Sequence, residues 1–97
     1  MYPNPSLFID GTWAPGSTGK DEAVLNPATA EEIGRVAHAS TGDLDRALEA
    51  AARAFRTWRK VSPYDRSKVM RKAADLLRER ADTIARIMTM EQGKPLA

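Results

Sequence analysis

The stretch from Ser62 to Pro95 constrains the fold most, because it has the periodicity of one long amphipathic helix. Ser62 and Pro63 are typical of a helix start, and Gly93 followed by Pro95 is typical of a helix end. Between them, apolar residues recur at steps of three, four and seven, which places them on one helix face. They are Val69, Met70, Ala73, Leu76, Leu77, Ile84, Ile87 and Met88.

This pattern predicts a helix over residues 63–92, about 45 Å long if it is straight. Helices in globular proteins are usually much shorter. The stretch therefore indicates either a bend near residues 80–82 or a helix that crosses a body larger than this chain. Few residues remain to cover its apolar face, so we expect that face to be uncovered by this chain.

Another amphipathic helix, the first in chain order, is predicted over residues 41–60, so that the helix over residues 63–92 is the second. Ser40 and Asp43 have the spacing of a capping box, in which each side chain bonds the backbone N–H of the other. The alanines of its apolar stripe leave room for a neighbouring helix, and the short connection to Ser62 predicts an antiparallel helical hairpin. The stripe consists of Leu44, Ala47, Leu48, Ala51, Ala54, Phe55 and Trp58.

Short strands are predicted within residues 7–37, after a Pro- and Asn-rich arm at residues 1–6. Asp10-Gly11 is favoured in two-residue hairpin turns and follows an apolar run. Residues 23–25 and 33–37 form a second pair around Asn26-Pro27, where proline ends the first strand. The predicted fold class is an α+β fragment: two short β-hairpins followed by an antiparallel pair of long α-helices.

Composition excludes several kinds of site. The chain of 97 residues is one domain at most, and its 42% apolar and 29% charged residues are typical of a soluble globular protein. It has no cysteine, hence no disulfide, thiolate ligand or cysteine nucleophile, and its one histidine, His38, suggests no metal site. No apolar run reaches the ~18 residues of a membrane span, and residues 1–5 lack a signal-peptide pattern. We expect a cytoplasmic protein without a membrane partner.

The charged residues suggest two kinds of site, and each has a simpler explanation. Three carboxylates near the start of the first helix could act as acid and base, but they could equally be surface charges that stabilise the helix dipole. They are Asp43, Asp45 and Glu49. A basic set on the second helix could bind nucleic acid, but interleaved acids and the lack of stacking aromatics favour a solvated, ion-paired face. This set is Arg66, Lys68, Arg71, Lys72, Arg78, Arg80 and Arg86.

The aromatic residues Trp13, Phe55 and Trp58 are interpreted as packing groups rather than a ligand cage, because two of them lie on the helical stripe. Gly93-Lys94 lacks the earlier glycine of a phosphate-binding loop. The residues alone thus indicate no catalytic, no cofactor-binding and no metal site.

Several blocks, in order, resemble the aldehyde dehydrogenase superfamily. They are residues 8–13 (Phe-Ile-Asp-Gly-Thr-Trp), 26–36 and 43–58, then Arg66, residues 73–76 and residues 89–96. The ending Glu-Gln-Gly-Lys-Pro-Leu at 91–96 is most similar to succinate-semialdehyde dehydrogenases. Ala30 departs from the family, which usually has glycine there; if the turn needs a positive φ, alanine strains it.

The resemblance implies that this chain is the N-terminal structural segment, residues 1–97, of a larger α/β enzyme. In that family a cysteine thiolate attacks the aldehyde, hydride passes to NAD or NADP, and a glutamate activates water to release the acid. Those groups lie later in the family's sequence. Some members hold a monovalent cation through backbone carbonyls at the positions of Val24 and Leu25, but the other ligands would be missing here.

Two hypotheses follow. In the first, the chain is catalytically silent alone, binds no cofactor alone, and its partner is the remainder of an NAD(P)-dependent aldehyde dehydrogenase acting on an aldehyde such as succinate semialdehyde. In the second, it is a stand-alone helical-hairpin module that recruits a partner or another copy of itself through the exposed apolar helix face. Neither hypothesis includes a nucleic acid.

Overall fold

The computed structural model describes residues 2–96, which form four strands and then three helices. The predicted pair of β-hairpins is confirmed, as two separate two-stranded antiparallel sheets. The elements are β1 (Leu7–Ile9), β2 (Thr12–Ala14), β3 (Asp21–Leu25), β4 (Glu32–Ala37), α1 (Thr41–Trp58), α2 (Pro63–Glu79) and α3 (Ala81–Gln92).

The first hairpin turns at the predicted Asp10-Gly11 pair. Both residues have positive φ, 53° and 77°, which matches the twist of the strands that a two-residue turn joins. Phe8 and Trp13 face each other across the strands with ring centroids 4.8 Å apart. Arg53 of α1 donates to the Asp10 carboxylate at 2.7 Å and ties the turn to the helix.

The first hairpin lies against the alanine side of α1, where the sequence predicted a neighbouring helix. That prediction is wrong: β1 contacts α1, whereas α1 and α2 do not pack along each other. Small side chains let a backbone approach closely, and here the approaching backbone is that of a strand and its turn. The alanines beside the hairpin are Ala47, Ala50, Ala51 and Ala54.

The N-terminal arm lies along β4 of the second hairpin. The Arg35 N–H donates to Asn4 Oδ1 at 2.9 Å, and the Ala37 N–H donates to the Pro5 carbonyl at 3.0 Å. Because these bonds satisfy donors on an otherwise open strand edge, the arm covers part of that edge of the small sheet. The Tyr2 ring packs over Gly34, where any side chain would collide with it.

The second hairpin also sits next to the end of α3. Burial raises the pKa of the Tyr2 phenol, and the charge of Glu91 on α3 raises it further. Gly93 ends α3, as the sequence predicts, and takes the left-handed conformation with φ 78°. A β-carbon there would lie 3.2 Å from Pro27. The arm, the second hairpin and α3 therefore meet in one place.

The turn between β3 and β4 places Ala30 at φ 61°, the strained case that the sequence raised. Asn26 organises this turn: its Oδ1 accepts from the Ala28 N–H at 2.9 Å, and its carbonyl accepts from the Ala30 N–H at 2.8 Å. A left-handed conformation costs a residue with a β-carbon about 1–2 kcal/mol. The hydrogen bonds hold Ala30 there despite that cost.

Replacing Ala30 with glycine is expected to stabilise the chain by about 0.5–1 kcal/mol, because relief of strain exceeds the added flexibility of the unfolded chain. Urea unfolding at low protein concentration measures the change. Ala28→Gly is the matched control, since Ala28 lies in the same turn without a positive φ. This substitution should destabilise the chain. Equal effects of the two substitutions would contradict strain at Ala30.

The second predicted helix needs correction, because it is two helices. α2 ends at Glu79 and α3 begins at Ala81, and Arg80 between them has φ −102° and ψ 11°. The break lies where the sequence predicted a bend; the apolar spacing is interrupted there, so no apolar contact supports a continuous helix. The first helix ends at Trp58 rather than at residue 60, in a turn closed by the Val61 N–H and the Trp58 carbonyl.

The described chain is a thin, open body without an apolar core. No hydrophobic residue among residues 2–96 is buried. The radius of gyration is 16.9 Å and the extents are 48 × 36 × 16 Å, whereas a compact domain of this length has a radius of about 13 Å. The predicted uncovered apolar face is thus present, and it extends over all three helices.

Candidate functional site

Asp43 is the most enclosed polar group, with no exposed side-chain surface. Its Oδ2 accepts from the Ser40 N–H at 2.9 Å and from the Ser17 N–H at 3.0 Å. Both serine hydroxyls also donate to it, at 3.0 and 3.2 Å, and Arg46 bonds its other oxygen. The predicted capping box is confirmed, and the loop around Ser17 joins it from 26 residues away.

This arrangement makes Asp43 a structural pin, that is, a residue whose hydrogen bonds hold the loop at Ser17 against the start of α1. The backbone N–H groups of Ser40 and then Ser17 are the main reasons that the pKa of Asp43 lies far below its usual value. A carboxylate whose pKa lies far below the ordinary pH has no proton to donate and is a weak base, so it is poorly suited to acid–base catalysis. Asp45 and Glu49 are exposed on α1 and make no hydrogen bond to Asp43, so the three carboxylates do not form a common site.

The other predicted polar candidates are dispersed over the surface. His38 and Glu22 form an exposed pair, with Nε2 and Oε2 2.8 Å apart. Within the predicted basic set, Lys68 lies 3.5 Å from Asp65 and Arg78 lies 3.1 Å from Asp75, each pair on successive turns of α2. Among residues 2–96, no group of three His, Asp or Glu side chains is placed to hold a metal ion.

The aromatic candidates also lie apart. Trp13 pairs with Phe8 in the first hairpin, and its side chain is 67% exposed. Phe55 and Trp58 lie on α1, where the Arg59 guanidinium is 5.9 Å from the Phe55 ring centre. In the part of the chain that the structure describes, these three aromatics do not enclose a ligand cage.

The most extensive feature is therefore apolar surface. The α1 stripe is the exposed row on α1, with Leu48 and Phe55 each 61% exposed; it consists of Leu44, Leu48, Phe55 and Trp58. The α2 stripe is the corresponding row on α2, where Met70 is 71% exposed; it consists of Val69, Met70, Ala73 and Leu77. Rows of this size on a small protein mark a surface that another protein surface covers.

Arg66 is the polar residue of the α2 stripe. It precedes Met70, Ala73 and Leu77 by four, seven and eleven positions, which places it on their side of the helix. Its Nε is buried and has no hydrogen-bond partner among residues 2–96. The sequence grouped Arg66 with the solvated basic residues; its spacing from Met70 and Leu77 was the signal that separates it from them.

The helices of the described residues include none that is long and apolar enough to cross a membrane. The α1 and α2 stripes cover only part of each helix, and the remaining sides are charged. This pattern is that of helices in a layered protein assembly.

Comparison with known proteins gives one family. The model of the "Aldehyde dehydrogenase family" matches residues 13–97. The chain is 42% identical over 90 residues to a glutarate-semialdehyde dehydrogenase of Pseudomonas aeruginosa, covering 93% of this chain and 19% of the relative. It is 39% identical over 99 residues to a 3-sulfolactaldehyde dehydrogenase of Pseudomonas putida, covering 97% and 20%.

Solved structures contain the same arrangement of strands and helices. An aldehyde dehydrogenase from Bartonella henselae superposes with a TM-score of 0.93 at 33% identity, over 99% of this chain and 20% of that one. A betaine aldehyde dehydrogenase from Staphylococcus aureus in complex with NAD⁺ gives 0.91 at 32% identity, over 96% and 19%. This chain thus spans about a fifth of the length of these relatives.

Proposed function

This chain belongs to the aldehyde dehydrogenase family, and we propose that it is the N-terminal scaffold of a longer NAD(P)-dependent enzyme, here called the parent enzyme. The observation that carries the proposal is the absence of any buried hydrophobic residue among residues 2–96. Fully burying one large apolar side chain stabilises a protein by about 1.5–3 kcal/mol. The α1 and α2 stripes leave that stabilisation unused until further polypeptide covers them.

The role follows from the chemistry that the chain lacks. It has no cysteine, so the family's thiolate nucleophile lies outside it. Asp43, its most enclosed carboxylate, is held in its charged form by hydrogen bonds from Ser40 and Ser17. The chain supplies shape and apolar surface, and the catalytic and cofactor-binding groups belong to the remaining polypeptide.

For the parent enzyme we propose oxidation of an aldehyde that carries an acidic group to the corresponding acid, with NAD or NADP as the hydride acceptor. The names of two relatives, glutarate-semialdehyde and 3-sulfolactaldehyde dehydrogenase, describe substrates of this kind. One solved relative holds NAD⁺. Succinate semialdehyde fits this class and agrees with the motif at residues 91–96.

A segment exchange tests the scaffold role. In the glutarate-semialdehyde dehydrogenase of Pseudomonas aeruginosa, the segment aligned with this chain is replaced by this chain, giving what we call the exchange enzyme. We expect it to assemble and to oxidise glutarate semialdehyde, because the two segments are 42% identical over 90 residues. The 97-residue chain alone should show no turnover with the same aldehyde and either cofactor.

The unaltered Pseudomonas aeruginosa enzyme, prepared in parallel, is the control. An exchange enzyme that neither assembles nor turns over while the control does would contradict the scaffold role. Turnover by the isolated chain that survives repurification would contradict the assignment of the chemistry to the remaining polypeptide.

The second candidate function is self-association, and the same exposed stripes favour it. Another copy of the chain can cover the α1 stripe as well as the remainder of an enzyme can, because apolar burial is not directional. In this case the chain acts as an interaction module that catalyses no reaction and binds neither a nucleic acid nor a membrane. Sedimentation equilibrium of the isolated chain at several concentrations separates the two candidates.

A further inference from the structure

Arg66 is the one basic residue of α2 that is partly buried; the others, all within the described part of the chain, are exposed. Its Nε is enclosed and donates no hydrogen bond among residues 2–96. A buried donor without an acceptor costs free energy, and native proteins satisfy nearly all such groups. Arg66 therefore lacks a partner that the complete structure has to supply.

Neither the neighbouring acid nor the helix itself compensates the charge. Asp65 accepts from the Ser62 hydroxyl at 2.9 Å, and Lys68 lies 3.5 Å from its other oxygen. Arg66 also lies in the first turns of α2, near the positive end of the helix dipole, which disfavours a cation. The compensating negative charge thus has to approach from outside α2.

Covering the α2 stripe makes this requirement stronger. Protein that packs on Val69, Met70 and Leu77 removes water from Arg66, which stands on the same side. A guanidinium keeps its charge at any ordinary pH and matches a carboxylate in bidentate geometry. Neutral carbonyl acceptors would satisfy its N–H groups but would leave the charge uncompensated.

We infer that the surface covering the α2 stripe carries a carboxylate that pairs with Arg66, and that this ion pair fixes how the scaffold docks. The inference rests on the proposed function, because the occupant is the remaining polypeptide of the parent enzyme. This chain spans only about a fifth of the relatives' length, so they contain the protein needed to cover the stripe. The apolar residues supply the surface that is buried on docking. The Arg66 ion pair fixes the position of the covering protein along α2.

The experiment compares the unaltered exchange enzyme with its Arg66→Lys and Arg66→Met variants. Arg71→Met is the matched control, since Arg71 is exposed and points about 140° away around the helix. Methionine keeps much of the apolar stem of arginine but leaves the opposing carboxylate buried without a partner. The readouts are the fraction recovered as assembled enzyme and the midpoint of heat inactivation of that fraction.

We expect the assembled fraction to be highest in the unaltered exchange enzyme, lower in Arg66→Lys and lowest in Arg66→Met. The loss in Arg66→Met should be about tenfold or more, because breaking a buried ion pair is strongly destabilising. Arg66→Lys should recover part of that loss, because it restores the charge without the fork geometry. Arg71→Met should match the unaltered exchange enzyme in both readouts.

Three results would overturn the inference. Assembly of Arg66→Met at or above the level of the unaltered exchange enzyme would show that Arg66 only packs against its cover. An equal loss in Arg71→Met would show a general effect of removing positive charge. Failure of the exchange enzyme with Arg66 intact overturns the proposed function itself, and with it the inference; in the first two cases the proposed function stands.

Discussion

The isolated 97-residue chain should sediment as a mixture of monomers and oligomers whose proportions shift with protein concentration. The α1 stripe exposes Leu48 and Phe55 by 61% each, and contact between two such stripes removes this surface from water. Replacing Leu48 or Phe55 with lysine should weaken association by roughly 10-fold to 100-fold each, since burying one such side chain is worth about 1.5–3 kcal/mol. Sedimentation equilibrium at several concentrations measures the effect.

Thr57→Lys is the matched control, because Thr57 is exposed on the opposite side of α1 and gains the same charge. Association should be almost unchanged in it. A sharply melting monomer at every concentration would contradict both the scaffold role and self-association. A single defined oligomer that persists on dilution would favour the interaction module, whereas open-ended association favours a scaffold without its cover.

Replacing Asp43 with asparagine should cause the largest loss of folding stability among single polar substitutions in this chain. The amide lacks the charge that Ser17, Ser40 and Arg46 surround, and its NH₂ group would point at donors. Loss of this pin frees the loop at Ser17 from the start of α1. We expect the midpoint of heat inactivation of the exchange enzyme to fall by several degrees when it carries this substitution.

The pH dependence of the stability loss in Asp43→Asn shows whether the charge of Asp43 is its cause. Hydrogen bonds from the Ser40 and Ser17 N–H groups lower the pKa of Asp43 in the folded chain. Its contribution is therefore complete above the unfolded pKa of about 4 and is lost as the pH falls further toward the folded value. The difference from Asp43→Asn should be constant near neutral pH and shrink in acid. Asp45→Asn, the same change at an exposed site, should leave the stability nearly unchanged. An equal loss of stability in Asp45→Asn would contradict the structural role of Asp43.

Local chemistry specifies the turns and caps of this chain. The turn at Asp10-Gly11, the capping box of Ser40 and Asp43, and the end of α3 at Gly93 all agree with prediction. Each depends on residues at most a few positions apart, whose backbone preferences and hydrogen bonds form without the rest of the fold. The uncovered apolar surface was predicted because few residues outside the helices remain to cover their apolar faces.

The features that prediction missed depend on which segments meet in space. The sequence placed a helix against the alanines of α1, but the first hairpin lies there, because small side chains accept any closely approaching backbone. Periodicity predicted one helix over residues 63–92, but a single interruption at Arg80 gives two. An apolar spacing is compatible with a continuous helix or with two that share a face.

The sequence by itself determined the family, the strands, the starts of α1 and α2, the end of α3 and the lack of an apolar core within this chain. It could do so because periodicity, capping and motif order are properties of neighbouring residues. Only the tertiary structure decided that Ser17 reaches Asp43 from 26 residues away and that Arg66 holds a buried atom without a partner among residues 2–96. The reason is physical: the burial and pairing of a polar atom depend on long-range approach, which no local pattern encodes.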